Sequence, residues 1–216
     1  MTLIYKLTLY ALVGVFVISS CSEDNTNDPE NGDLNNTFNN QESDFQNDAL
    51  LRIQDSLRNI GYNEEKLSSG QFPNCYNFTP KYSEINNYLK ISVGNNTDVA
   101  VKIMDSDTDE CIRFVYVNSG SSYKAKNIPE GIYYLKIAYG TDWFSRIRAG
   151  QCEGKFTKYA LYKIGENQMD YNITEEVSKD GIRTSTPYFE ISLDIEISDT
   201  SAALQTNTIS EEEFNL

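Results

Sequence analysis

The chain has 216 residues, with 18 Lys and Arg against 32 Asp and Glu, a formal charge of −14, and no histidine. That balance disfavours nucleic acid and anionic lipid as partners, because a polyanion is held by cations that displace its counterions, and leaves glycans, proteins and cations open. Without histidine there is no Ser-His-Asp triad, Cys-His dyad or His-bearing metal site, so a catalyst would have to rest on carboxylates, Lys, Tyr or a thiol.

The chain begins with a positive start, Lys6 and the amino terminus, followed by a mostly apolar run over residues 7–18 interrupted by Thr8 and Tyr10. The run fits a secretory h-region of about 7–15 residues and falls short of the roughly 20 that a spanning helix needs. Small Ser19 and Ser20 then lead into Cys21. Ile18-Ser19-Ser20-Cys21 resembles the lipobox of Gram-negative bacterial lipoproteins, with Ile18 where Leu is usual and Ser20 where Gly or Ala is usual. The resemblance implies a signal peptide over 1–20, cleavage before Cys21, and a diacylglycerol and an acyl chain of the palmitate type on that cysteine. It also implies lipid-anchored residence at the outer membrane or cell surface. Each buried methylene contributes about 0.8 kcal/mol, so several chains together make a durable anchor.

Residues 22–48 hold eight Asn and eight Asp or Glu with no Lys or Arg. Such a segment buries too little apolar surface to offset its ordering entropy, so 21–47 is expected to be a disordered tether. Glu23 and Asp24, next to the cysteine, resemble the surface-export signals of some Gram-negative lipoproteins; an acidic linker without sorting information is the alternative. A helix is expected over 48–60, with Asp48 as its cap, Leu50, Ile53, Leu57 and Ile60 at helical spacing, and Gly61 as the left-handed stop. Residues 62–86, punctuated by Gly70, Pro73 and Pro80, read as irregular.

From Tyr88 the apolar period becomes two. Leu89, Ile91 and Val93 alternate with Tyr88, Lys90 and Ser92; Val99, Val101 and Ile103 form the next inward set; Ile112, Phe114 and Tyr116 follow, opposite Val115 and Val117. A strand over 123–128 leads to Ile128-Pro129-Glu130-Gly131, which has the residue preferences of a type I turn. Tyr133, Leu135, Ile137 and Tyr139 share one face of the strand after it, and regularity lapses after Gly140. Further strands are expected over 159–164, 169–173 and 188–198, the last with Phe189, Ile191, Leu193, Ile195 and Ile197 on its dry face. About seven or eight strands at this spacing make the domain over 48–198 mainly β, an antiparallel β-sandwich of the Ig-like or transthyretin-like kind with one leading helix. Residues 199–216 form a polar acidic tail in which Ser210-Glu211-Glu212-Glu213 has the makings of a helix cap, with fraying the expected outcome.

The stretch SYKAKNIPEGIYYLKIAYG over 122–140 resembles a hairpin of transthyretin-like and carboxypeptidase-regulatory-like domains, in which a Pro-x-Gly turn precedes a Tyr-led strand. Tyr139-Gly140-Thr141-Asp142-Trp143, taken with the lipobox, resembles small uncharacterised exported bacterial lipoproteins, a family that lends no activity.

Beyond Cys21, three cysteines remain: Cys75, Cys111 and Cys152. In an oxidising compartment exposed thiols tend to pair, so at most one bridge can form among the three and one thiol is left over, and the sequence leaves all three pairings open. Asp105, Asp107 and Asp109 begin like a calcium loop, but Glu110 stands where Gly is wanted and Tyr116 where Glu is wanted, so a solvated turn is the favoured reading and no cofactor is expected. Trp143, with the tyrosines near it, is the candidate sugar-stacking platform, set against a role as packing anchor. No pair of carboxylates stands out for glycoside hydrolysis. The expected function is that of a non-catalytic binding or structural module of the envelope, held to the membrane by lipid and contacting an envelope protein or glycan. A fimbrial or other surface-assembly subunit is the alternative; a glycan-binding protein and a carboxylate-based hydrolase rank below it.

Overall fold

The computed structural model describes residues 34–179, 181–194 and 206–216, with side chains from Asn47 onward. The signal segment, Ile18, Ser19, Ser20, Cys21 and the first part of the tether lie outside the described residues, as do Ile195 and Ile197. The chain divides into a unit over residues 1–42 and a second over 43–216, and the second carries every sheet.

Helix α1 (Leu34–Asn59) starts well before the Asp48 cap, so residues 34–47, expected within the tether, are helical. The sequence offers a reason: Leu34, Phe38, Phe45, Ala49, Ile53 and Leu57 recur every four or seven residues, the spacing of a single helical stripe. The helix stops where Gly61 was expected to stop it. Gly61 takes φ 93°, its N–H reaches Arg58 O at 3.0 Å, and Tyr62 N–H reaches Leu57 O at 3.0 Å. These are the two bonds of a Schellman motif, and the accompanying apolar contact places Leu57 and Tyr62 with Phe144.

The strands follow as β1 (Asn63–Glu64), β2 (Tyr88–Val93), β3 (Asp98–Asp105), β4 (Cys111–Val117), β5 (Ser122–Lys126) and β6 (Ile132–Arg148). Then come β7 (Gln151–Gly165), β8 (Met169–Asp170), β9 (Thr174–Ser178), β10 (Gly181–Ser185), β11 (Phe189–Leu193), β12 (Thr206–Thr208) and helix α2 (Glu211–Asn215). The protein is mainly β, as expected, with more strands than the sequence suggested and two of them, β6 and β7, much longer. A seven-stranded sheet has the order β12-β7-β6-β3-β4, with β1 and β8 pairing opposite ends of β6. A three-stranded sheet has the order β11-β2-β5, and β9 and β10 form a separate hairpin.

The two larger sheets face each other across one core. Leu89, Ile91, Val93, Ala125 and Leu193 of the small sheet meet Val99, Val101, Ile103, Leu135, Ile137 and Tyr139 of the large one. This is the sandwich that the alternation in β2, β3 and β6 calls for. One pairing departs from the antiparallel rule: β11 runs parallel to β2, Phe189 opposite Leu89 through Leu193 opposite Val93.

The large sheet is covered on its other face as well. Ala100, Phe114, Tyr116, Trp143, Phe156 and Tyr162 are buried there beneath Leu67, Phe72, Tyr76, Phe78 and Phe214, contributed by the 66–80 segment and α2. Six consecutive residues of β4 are therefore buried, the signature of a strand with two dry faces. Ile112 was expected to share a face with Phe114 and Tyr116. A register shift beside Ile103 and Met104 instead puts it with Val115 and Val117.

The lapse after Gly140 is also corrected. β6 continues to Arg148 and pairs with β7 down to Gln151. The alternation loses phase because a second register shift falls at Gly140, where Asp142 (φ 58°) and, across the ladder, Tyr159 (φ 54°) have positive φ. A Cβ on Gly140 would meet Phe156 Cβ at 2.4 Å, so the close approach of the two strands requires glycine there. Ala149 (φ 51°) and Gly150 (φ 82°) close the hairpin with the paired positive dihedrals of a two-residue turn.

The tail does not fray. Ser210 Oγ accepts from Glu213 N–H at 3.1 Å, acidic residues fill the first turn of α2, and Phe214 is fully buried. Lys102 Nζ donates to Phe214 O at 2.7 Å and Lys136 Nζ to Glu213 O at 2.9 Å. Two strand lysines thus satisfy carbonyls at the end of the helix, which the sequence pattern had no means of announcing.

Candidate ligand-binding face

The outward positions of the small sheet form the most distinctive exposed surface. With Leu89, Ile91, Val93, Ala125 and Leu193 inward, alternation turns Tyr88 and Lys90 of β2, Lys124 and Lys126 of β5 and Glu190 of β11 outward. Register sets Tyr88 opposite Lys126, Lys90 opposite Lys124, and Glu190 opposite Lys90. Glu190 accepts from Tyr88 Oη at 3.1 Å and from Lys90 Nζ at 3.3 Å. These hydrogen bonds, Lys90's first, hold its carboxyl below the usual range. Tyr188, just ahead of β11, stacks on Tyr88 with centroids 5.2 Å apart and planes 24° apart, and is 62% exposed. Lys124 Nζ lies 4.2 Å from the Tyr88 ring centroid, within cation–π range. The face is aromatic at one end and carries three lysines against one glutamate.

The residues singled out by sequence fall elsewhere. Trp143 is 1% exposed, edge-on to Phe114, Tyr116, Phe156 and Phe214, so it is a packing anchor and not a sugar platform. The reason is the second cover on the large sheet, which buries the face of β6 that carries it. Asp105 Oδ1 accepts from the N–H groups of Asp107 (2.9 Å) and Thr108 (3.0 Å), and Asp109 accepts from Tyr134 Oη at 2.9 Å. Those carboxylates organise a hairpin turn, and among the described residues no three His, Cys, Asp or Glu side chains gather as a metal site.

Of the three open pairings, Cys75–Cys152 is the bridge, with its Cα atoms 5.3 Å apart. Cys111 remains a thiol, bonded to Arg113 O at 3.1 Å and pushed by burial up to about 11. Burial thus keeps this sulfur in its thiol form at neutral pH.

A cleft of about 450 Å³ opens beside Tyr62, Arg146, Arg148, Glu153, Lys155 and Glu211. Arg146 pairs with Glu153 at 2.8 Å and Lys155 with Glu211 at 2.8 Å, so its charge is largely spent within the fold. Among the described residues no helix is long and apolar enough to cross a membrane. Comparison with protein-family models, with curated proteins and with solved structures returned no match to this chain.

Sequence reading separated the outward from the inward residues of β2 and β11 but missed that they form a site. Tyr88 and Tyr188 lie 100 positions apart, and only the parallel pairing of β11 with β2 brings them together. The outward lysines of β5 and the outward glutamate of β11 were the available signal.

Proposed function

We propose that this chain is an exported, lipid-anchored, non-catalytic module of the bacterial envelope that binds through the outer face of its small sheet. One observation carries the binding part of this reading. Among the described residues nothing covers this face, which presents stacked tyrosines and lysines to solvent, whereas β3 and β4 of the large sheet are buried on both sides. The Cys75–Cys152 bridge supports export, since such bonds persist in oxidising compartments. The anchor rests on the lipobox-like Ile18-Ser19-Ser20-Cys21. Expression with labelled palmitate tests it: label and membrane fractionation are expected for the natural chain, and loss of both for Cys21→Ala. A Cys21→Ala protein that still carries label and sediments with membranes refutes the anchor.

A second reading, a surface-assembly subunit, is favoured by β11, a parallel strand at the edge of its sheet and the last strand before residue 195. Strand addition at such an edge is a known mode of subunit joining. Polymers that grow with concentration and resist mild detergent would favour it; a monodisperse monomer across concentrations would exclude it.

A further inference from the structure

Lys90 and Lys124 stand directly opposite each other on neighbouring strands, an arrangement that destabilises a sheet unless negative charge answers it. Glu190 answers Lys90 at 3.3 Å. Among the described residues, Lys124 and Lys126 have no carboxylate within ion-pair distance. A chain with 32 acidic and 18 basic residues has therefore gathered three lysines and one glutamate on one sheet face. Beside them the Tyr188 ring, 62% exposed, lies stacked on Tyr88. A ligand matching both features has carboxylates for the ammonium groups and flat C–H surfaces for the rings.

We propose that the outer face of β2, β5 and β11 binds an anionic polysaccharide, with Lys90, Lys124 and Lys126 engaging its carboxylates and the Tyr88–Tyr188 stack receiving a sugar ring. The proposal rests on the binding reading above and names the ligand class of that same face. A purely acidic peptide would use the lysines and leave the ring pair without a role. A second copy of this chain, itself strongly acidic, would bring charge without sugar faces.

The test uses the full-length protein in neutral detergent, applied at low salt to matrices carrying polygalacturonate, neutral dextran or poly-glutamate. A protein of charge −14 without a local site would be excluded from a polyanionic matrix. The expected result is retention on polygalacturonate at least about tenfold above dextran, eluting as salt rises. Lys90→Ala/Lys124→Ala should reduce retention to the dextran level with an unchanged melting temperature. Tyr188→Leu should weaken it severalfold, and Glu190→Gln, which removes the one negative charge, should strengthen it.

Exclusion from polygalacturonate overturns the proposal, as does retention unmoved by the double lysine change. Equal retention on poly-glutamate, insensitive to Tyr188→Leu, overturns the sugar assignment in favour of an acidic peptide. The intact mass of the same sample reports lipid on Cys21. An unlipidated protein that is retained refutes only the anchor, and a lipidated protein that is excluded refutes only the ligand.

Discussion

Lys102 of β3 and Lys90 of β2 occupy equivalent places in the alternation, each between inward-facing apolar neighbours, yet one is 2% exposed and the other faces water. Lys102 lies beneath α2 and donates to Phe214 O; burial, with Lys136 nearby, lowers its pKa to about 8. Lys90 lies on the uncovered sheet beside Glu190. The difference teaches that a polar residue at a strand's second face does not mark that face as wet. It marks a place needing a partner, which is a helix carbonyl in one sheet and solvent or ligand in the other.

The cover on the large sheet is the part most easily broken. Cys75–Cys152 ties the 66–80 segment to β7 across 77 residues. Replacing both cysteines by serine should cost about 4 kcal/mol of unfolding free energy on the chain-entropy account, measured by denaturant titration. Phe214→Ala should cost about 3–5 kcal/mol, because it empties a fully buried site and loosens the carbonyls that satisfy Lys102 and Lys136. If Phe214→Ala left the denaturation midpoint unchanged, α2 would not be part of the fold's second core.

A pH experiment sharpens the contrast between the two lysines. The Lys102 ammonium titrates near 8 when folded and near its ordinary 10.5 when unfolded, so between these values the unfolded chain binds more protons. Stability should therefore rise with pH, by about 1 kcal/mol from pH 8 to pH 9. Below pH 8 both states are charged and the burial penalty is present in full. Above pH 9 the sign reverses through other groups. Cys111 is pushed by burial up to about 11 and Tyr139 up to about 12, so the folded state then holds the extra protons. With no histidine in the chain, the main offset to this rise near pH 9 is Cys111, whose thiol has an ordinary value of 9.0 and is raised by burial in the folded state. Lys102→Met should flatten the rise in denaturation midpoint over that unit of pH, and Lys124→Met should leave it intact.

Much of the fold was legible because local rules and the global arrangement agree over 88–140. β2 and β3 begin and end where the alternation says, and Gly61 stops α1 through the bonds expected of it. What failed to show did so for physical reasons. A residue with positive φ, such as Asp142 or Tyr159, shifts a strand by one position and scrambles its period, hiding the far halves of β6 and β7. The second core depends on contacts between residues far apart in sequence, Phe214 with Phe114 and Trp143 among them, which no local window contains. The sequence left Trp143 open between packing anchor and sugar platform for that reason, and Tyr88 with Tyr188 went unread as a pair because parallel pairing joins distant segments.

The smallest predicted effect is the one that separates the sheets most cleanly. Lys124→Ala removes a like charge opposite Lys90, worth a few tenths of a kcal/mol in the mutant's favour, and loses a cation–π contact with Tyr88 of about 0.5 kcal/mol or a little more. The two nearly cancel, so the melting temperature should move by no more than about 2 °C, as for surface substitutions generally. A loss comparable with that of Phe214→Ala would mean Lys124 holds the sheet together. The outer face of β2, β5 and β11 would then be structural, as the covered face of the large sheet is. A near-zero change frees the lysine from that duty, and its place opposite Lys90 is then explained by what the face binds.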